Sequence, residues 1–278
     1  MFRFRHAVCN EIFQGWSFTE SVRAARLAGY SGMELAGFML GEDPAALAPA
    51  RRQEYRTVLA SEGIEYVGLH WLLATPKALH VTTPDTAQRR RGWDYVRRLV
   101  YLSADLGPAS VMVFGSPRQR SSIGGLSADQ ATRHFVEGLA GVAGHAAQRG
   151  VTILVEALSP DQTDVITTLD EAAALVREID SPGVKTVFDS HNAVAEREAH
   201  AVLVDRHFDL IRHVHVNEMD GKHPGCGDYD FLPVMQVLHR RGYTGWISVE
   251  TFDCSFGAER IMAESLRRMQ AVIAKISL

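Results

Sequence analysis

Short apolar runs alternate with longer amphipathic segments along the whole chain, and this repeat limits the possible folds more than any single motif does. The runs are His6–Cys9, Gly32–Ala36, Tyr66–Trp71, Ser110–Phe114, Thr152–Glu156, Lys185–Asp189, Ile211–His215 and Ile247–Glu250. They show no consistent polar alternation, which is the pattern of parallel strands buried on both faces. The segments between them carry helix punctuation. Ser17-Phe-Thr-Glu20, Ser127-Ala-Asp-Gln130 and Thr168-Leu-Asp-Glu171 each match a capping box, in which two side chains satisfy orphan N–H groups of the first turn. Gly29, Gly63, Gly107, Gly150 and Gly242 follow helical stretches, where glycine takes a left-handed C′ conformation at little cost.

Eight strand–helix units in 278 residues predict an α/β fold, a (β/α)8 TIM barrel forming one domain over 1–278. A doubly wound open sheet would place a Gly-rich phosphate turn after the first strand. The residues there, Asn10-Glu11-Ile-Phe-Gln14, contain no glycine.

Composition narrows the function classes. With a formal net charge of −4, the chain has no global field that would favour nucleic acid or an anionic membrane. The basic runs Arg89-Arg90-Arg91 and Arg97-Arg98 fall in a helical pattern and read as a solvated face. No window approaches the ~18 continuous apolar residues of a membrane span. Cys9, Cys226 and Cys254 are too far apart for a disulfide framework and suit a reducing compartment. The N-terminus, Met-Phe-Arg-Phe-Arg-His, lacks a secretory apolar core. The expectation is a cytoplasmic protein with neither a membrane nor a nucleic-acid partner.

In a barrel, chemistry collects at the C-terminal strand ends. The last four runs end in Glu156, Asp189, His215 and Glu250. Carboxylate oxygens suit a hard divalent cation, and imidazole widens the choice toward manganese, cobalt or zinc. Thiolate ligation is not expected, because no cysteine is read as ending a strand opposite these groups. A single Glu at a strand end is ordinarily solvated, and a single His on an apolar strand is ordinarily a hydrogen-bonded core residue. His213 keeps that second reading. Four such residues on consecutive strands are different, because burying three carboxylates together without a cation costs more than a domain can spare.

The order Glu, Asp, His, Glu, at intervals of 33 (156 to 189), 26 (189 to 215) and 35 (215 to 250) residues, resembles the xylose-isomerase-like TIM-barrel superfamily. Within it, the chain is similar to the sugar isomerase and ketose 3-epimerase branch that includes D-tagatose and D-psicose 3-epimerases. Supporting matches are Glu156-Ala-Leu with Thr163-Asp164 and Thr167-Thr168, and His213-Val-His215-Val-Asn217-Glu218. Others are Pro224-Gly225-Cys-Gly227-Asp228 with Asp230-Phe231, and Gly245-Trp246-Ile-Ser-Val-Glu250. The resemblance implies that Glu156, Asp189, His215 and Glu250 ligate one divalent cation, with Mn2+ expected and Co2+, Mg2+ or Zn2+ as alternatives. It also implies that Glu156 and Glu250 are the catalytic pair. One would take a proton from carbon beside the metal-bound carbonyl, giving an enediolate, and the other would return it. The substrate would be a small carbohydrate, and the protein a homo-oligomer, dimer or tetramer.

Three positions depart from that family's pattern. Asn192 stands where the epimerases have a His, with His191 one place earlier. Gly221 stands where they have an Arg, and Gln162 where they have a Glu. The substrate grip therefore differs even though the metal ligands match. His70, Trp71, Gln162, His191 and Glu218 are the substrate-binding candidates. Arg118 and Arg120 could clamp an anionic substrate, Asp228 lies in the same region as Glu218, and Trp16 and Phe252 could wall the mouth. Two other enzyme classes compete: a metal-dependent lyase or dehydratase acting on inosose-like, shikimate-like or oxidised C-glycoside compounds, and an endonuclease IV-like DNA repair enzyme. A non-catalytic sugar-binding barrel is a further alternative.

Overall fold

The computed structural model describes residues 4–276, so residues 1–3, part of the N-terminal segment read above, lie outside the described residues. Eight strands form one closed parallel barrel in sequence order, with the last strand pairing with the first. They are β1 (Arg5–Cys9), β2 (Gly32–Ala36), β3 (Glu65–His70), β4 (Val111–Phe114), β5 (Thr152–Val155), β6 (Val184–Asp189), β7 (Ile211–Val216) and β8 (Trp246–Val249). The helices that follow them are α1 (Phe18–Ala28), α2 (Pro49–Glu62), α3 (Thr86–Leu106), the single turn α4 (Pro117–Arg120), α5 (Ala128–Gln148), α6 (Leu169–Ile179), α7 (His200–His207), α8 (Leu232–Arg240) and α9 (Ala258–Ile276). This is the (β/α)8 TIM barrel expected from the repeat. Among the described residues no helix is long and apolar enough to cross a membrane.

All three capping boxes form as read, at Ser17, Ser127 and Thr168. Gly29, Gly63, Gly150 and Gly242 have positive φ, whereas Gly107 does not: its φ of −178° is extended backbone. There α3 runs straight into the β4 approach, with Tyr66 packed where a Cβ at 107 would stand. Strand ends move by a residue. β3 stops at His70, because Trp71 turns to φ 52°. Glu156 and Glu250 stand one residue beyond β5 and β8, and β7 continues one residue past His215.

What positions the site is the stacking inside the barrel. Ala7, Val67, Val111, Val113, Leu154, Val187 and Trp246 form an apolar plug separate from the larger core between sheet and helices. Side chains alternate faces along a strand, so two steps toward the C-terminal end recover the interior face. From Leu154 that step reaches Glu156, and from Val187 it reaches Asp189. From Trp246 two such steps pass Ser248 and reach Glu250, and from Ala7 they pass Cys9 and reach Glu11. The plug is dry packing; the layers above it are polar and buried.

Candidate metal centre and active-site pocket

The four strand-end donors converge. Glu156, Asp189, His215 and Glu250 each bring one ligand atom to within 4.8 Å of the others, and all four residues are buried. His215 presents Nδ1 to the cluster, 3.0 Å from Glu250 Oε2, 3.5 Å from Asp189 Oδ2 and 3.8 Å from Glu156 Oε1. Neither His215 Nδ1 nor Glu250 Oε2 has a hydrogen-bond partner, though both are fully enclosed. Orphaned buried atoms of this kind call for an explanation, and a shared cation supplies one. The donor set of three carboxylates and one imidazole fits a divalent cation of the magnesium, manganese, cobalt or zinc kind.

Neighbours hold three of the four donors. Asn192 Nδ2 donates to Glu156 Oε1 at 3.2 Å, and Gln162 Nε2 donates to Asn192 Oδ1 at 2.7 Å. Asp189 accepts from the Asn192 backbone N–H at 2.7 Å and from Asn217 Nδ2 at 3.2 Å. His215 donates Nε2–H to the carboxylate of Glu34 on β2. Gly115, just past β4, leaves space for Glu156: a Cβ there would lie 2.3 Å from Glu156 Oε2.

The electrostatics follow from crowding charges in a buried site. Burial pushes the Glu250 carboxyl up to about 7; the charges of Glu156 and Asp189 add to this, against the opposing pull of His215. Burial would also raise Asp189, but the charge of His215 beside it and the hydrogen bond from the Asn192 backbone N–H outweigh this and hold Asp189 below its ordinary value. Burial would lower His215, yet the charges of Glu34 and Glu250 carry it well above the ordinary imidazole range. Placing a dication at Nδ1 would instead favour the deprotonated form of all four donors.

Over this cluster opens a narrow pocket lined by His70, Trp71, Val113, Gly115, Ser116, Pro117, Glu156, Leu158, Gln162, Asn192, Glu250 and Phe252. Trp71 and Phe252 meet edge-on at 6.0 Å and form an aromatic wall. Of the substrate candidates, His70, Trp71 and Gln162 therefore line the pocket. His70 sits low in it, its Nε2 3.0 Å from Glu11 Oε2.

Other candidates lie elsewhere. The His191 ring stands behind Phe252, at 5.0 Å between centroids, and its Nδ1–H donates to the Met219 carbonyl. The Glu218 carboxylate is buried and accepts from the backbone N–H groups of Gly225 and Tyr229, so it folds its own loop instead of facing the pocket. Arg120 is fully buried and donates to the carbonyls of Phe114 and Ile166, which removes it as an anion clamp; Arg118 stays exposed on a neighbouring hollow. Trp16 stacks on Phe13 and does not line the pocket, whereas Phe252 does. Gly221 has φ 79°, and a Cβ there would lie 2.9 Å from the Phe252 ring, so that ring occupies the space a long side chain at 221 would need.

The reason given against thiolate ligation, that no cysteine ends a strand near these groups, needs correction. Cys9 ends β1 and groups with Glu34 and His215, and again with Glu11 and His70, on the inner side of the site. Burial, reinforced by the Glu34 and Glu11 charges, pushes its thiol well up, so it stays protonated there. Glu34, Glu11 and Cys9 are the buried groups that strand-end reasoning missed. Each lies on an early strand or just beyond one; the available signal was a Glu inside the apolar run Gly-Met-Glu34-Leu-Ala.

Comparison with known proteins gives a consistent picture. Residues 22–272 match the family model described as xylose isomerase-like TIM barrel. A ketose 3-epimerase from Arthrobacter globiformis is 25% identical over 206 residues, which is 72% of this chain and 67% of that enzyme. An inosose dehydratase from Geobacillus thermodenitrificans is 28% identical over 138 residues, covering 42% of this chain and 45% of that enzyme. A D-psicose 3-epimerase from Clostridium cellulolyticum H10, solved with D-tagatose, superposes with a TM-score of 0.82 over 99% of this chain and 98% of that chain, at 18% identity. That last likeness is one of fold.

Proposed function

The chain belongs to the xylose isomerase-like TIM barrel family, and on that premise we propose that it is a divalent-cation-dependent isomerase or epimerase acting on a sugar or sugar derivative. One observation carries the reading: four buried donors lie within 4.8 Å of one another at the floor of a pocket. Two of the donor atoms, His215 Nδ1 and Glu250 Oε2, have no other partner. In this proposal Glu156, Asp189, His215 and Glu250 hold the cation, with Mn2+ the expected ion. When bound, the cation supplies Lewis-acid polarisation of a substrate carbonyl and charge stabilisation beside it.

The chain's own residues supply the proton traffic. Glu156 and Glu250 follow β5 and β8, three strands apart in the ring of eight, and both line the pocket, so a substrate bound there can lie between them. One removes a proton from the carbon next to the carbonyl and the other returns it. Return to the opposite face of the same carbon gives epimerisation, and return to the adjacent carbon, with a proton passing between the two neighbouring oxygens, gives isomerisation. Asn192, braced by Gln162, keeps Glu156 turned toward the pocket. The Trp71–Phe252 wall offers an apolar face to the sugar and excludes water from the reacting carbon. His70, Trp71 and Gln162 are proposed as the substrate contacts. His191 and Glu218 are proposed to act indirectly, through the loops that carry Phe252 and Gly221.

The test is incubation of the protein with Mn2+ and a panel of ketoses in heavy water. Solvent deuterium should enter carbon-bound positions of at least one sugar and should not do so after chelation. No exchange in any sugar would overturn the reading. A second reading, elimination of water, draws support from the likeness to inosose dehydratase. It starts with the same proton removal, and a net loss of water from an inosose in the same assay would favour it. By family likeness we further propose a single barrel domain over 1–278, working in the cytoplasm as a dimer or tetramer on a small carbohydrate.

A further inference from the structure

We propose that Glu34, which does not reach the pocket, is the positioning residue that fixes the ring orientation and tautomer of His215. This inference rests on the cation-dependent reading above. Glu34 is fully buried in the barrel interior, 181 residues from His215 in sequence. The pairing register between β2 and β3 shifts between Met33 and Glu34, the kind of irregularity that re-aims a side chain beside a functional site. Its Oε1 and Oε2 stand 3.1 and 3.2 Å from His215 Nε2, and Oε2 stands 2.8 Å from His213 Nε2.

An ionised carboxylate only accepts hydrogen bonds, so both imidazoles turn an Nε2–H toward it. A neutral His215 with its proton on Nε2 carries its lone pair on Nδ1, the atom facing Glu250, Asp189 and Glu156. The carboxylate is itself held in place. His213 lies on one side of it, and His70 Nδ1 lies 3.6 Å from Oε1 on another. His213, fully buried, thus braces the brace. Glu34 makes the imidazole a better donor and stops it rotating out of the cluster, as a carboxylate behind a metal-binding histidine does elsewhere.

Calorimetric titration of chelator-stripped protein with Mn2+ tests this. Wild type should bind one cation per chain, and Glu34→Gln should bind it about 10–100-fold more weakly. Gln keeps the shape but loses the negative charge and puts an NH2 donor where one of the two acceptor oxygens stood. A merely structural Glu34 would lower the melting temperature of the metal-free protein and leave the Mn2+ affinity of the folded variant alone; affinity within twofold of wild type would therefore overturn the proposal. Nitrogen-15 spectra of wild type loaded with diamagnetic Mg2+ give a readout that needs no Glu34 variant. The His215 signal, assigned by its loss in His215→Gln, should show the proton on Nε2, and a proton on Nδ1 overturns the proposal. If wild type binds no Mn2+ at all, it is the cation-dependent reading itself that fails.

Discussion

The two arcs of the barrel wall do different work. From β5 to β8 every strand delivers a donor at its end, and the four donors meet at one point. From β1 to β3 the polar groups sit on the inner side of that point: Cys9, Glu11, Glu34 and His70 are all buried, and their side-chain contacts run to one another or to His213, His215 and Thr251. β4 contributes Gly115, whose missing side chain gives Glu156 its room. The difference teaches that one arc sets which chemistry is available and the other sets its geometry. Substitutions should therefore split into losses of turnover on the first arc and losses of precision on the second.

The largest effect should come from the proposed proton-transfer pair. Glu156→Gln and Glu250→Gln should each lower kcat on the eventual substrate by about 10²–10⁴-fold, the usual worth of a general acid or base. Glu11→Gln, on the supporting arc, removes one charged partner of His70 and should cost about tenfold. Steady-state kinetics on the three variants checks the split. Equal losses from Glu11 and Glu250 would break it.

Cation removal should come next. At a cation concentration of about 100 times Kd, binding to the native state alone adds about 2.7 kcal/mol. For a chain of this size that is a rise in Tm of roughly 5 °C, lost with a chelator and measured by scanning calorimetry. Asp189→Asn should abolish the increment, whereas Cys9→Ser should keep it. Loss of the increment in Cys9→Ser would mean that the thiol takes part in cation binding after all.

The pH dependence should be opposite in the two states of the protein. In the metal-free protein the folded state raises Glu250 from 4.5 to about 7 and lifts His215 well above its ordinary value. Protons held more tightly by the folded state stabilise it below the unfolded pKa values. That stabilisation is lost as pH rises through the folded ones. Melting temperature of the chelated protein should therefore fall between about pH 5 and pH 8. Cation affinity should rise over the same window, because the donors must shed those protons to bind. Glu250→Gln should flatten the acidic half of both curves.

How much of this was legible in the sequence follows the same division. The eight-unit repeat exposes the barrel because parallel strands and capped helices each leave a local signature. The candidate ligands are legible because a polar residue stands out at the end of an apolar run. Glu34 breaks its run too, but a mid-strand Glu has no local reason to be paired. Its partners, His213 and His215, lie across the barrel, and only closure of the sheet brings them together. Arg120 and Glu218 looked like binding residues because sequence shows their charge but not their burial. In the fold, the backbone carbonyls of Phe114 and Ile166 take up the first and loop N–H groups the second. Gly107 carried a helix-end signature, yet the chain leaves α3 extended because Tyr66 fills the space beside it.

The smallest effect, and the finest test of the two-arc division, lies in the amides that touch the ligand arc from outside. Gln162 Nε2 donates to Asn192 Oδ1, and Asn192 Nδ2 donates to Glu156 Oε1, so two neutral side chains form a relay ending on a catalytic candidate. Asn192→Ala removes one hydrogen bond to a carboxylate and should cost about 0.5–1.5 kcal/mol, a fall in kcat/KM of about 2-fold to 13-fold. If Gln162 acts only through Asn192, then Gln162→Ala should cost less than this alone and add nothing in the Asn192→Ala background, since the two share one interaction. A Gln162 that also touches the sugar gives a different cycle: the second substitution still raises KM after the first has broken the relay. The size and sign of that coupling separate a residue that aims Glu156 from one that grips the substrate.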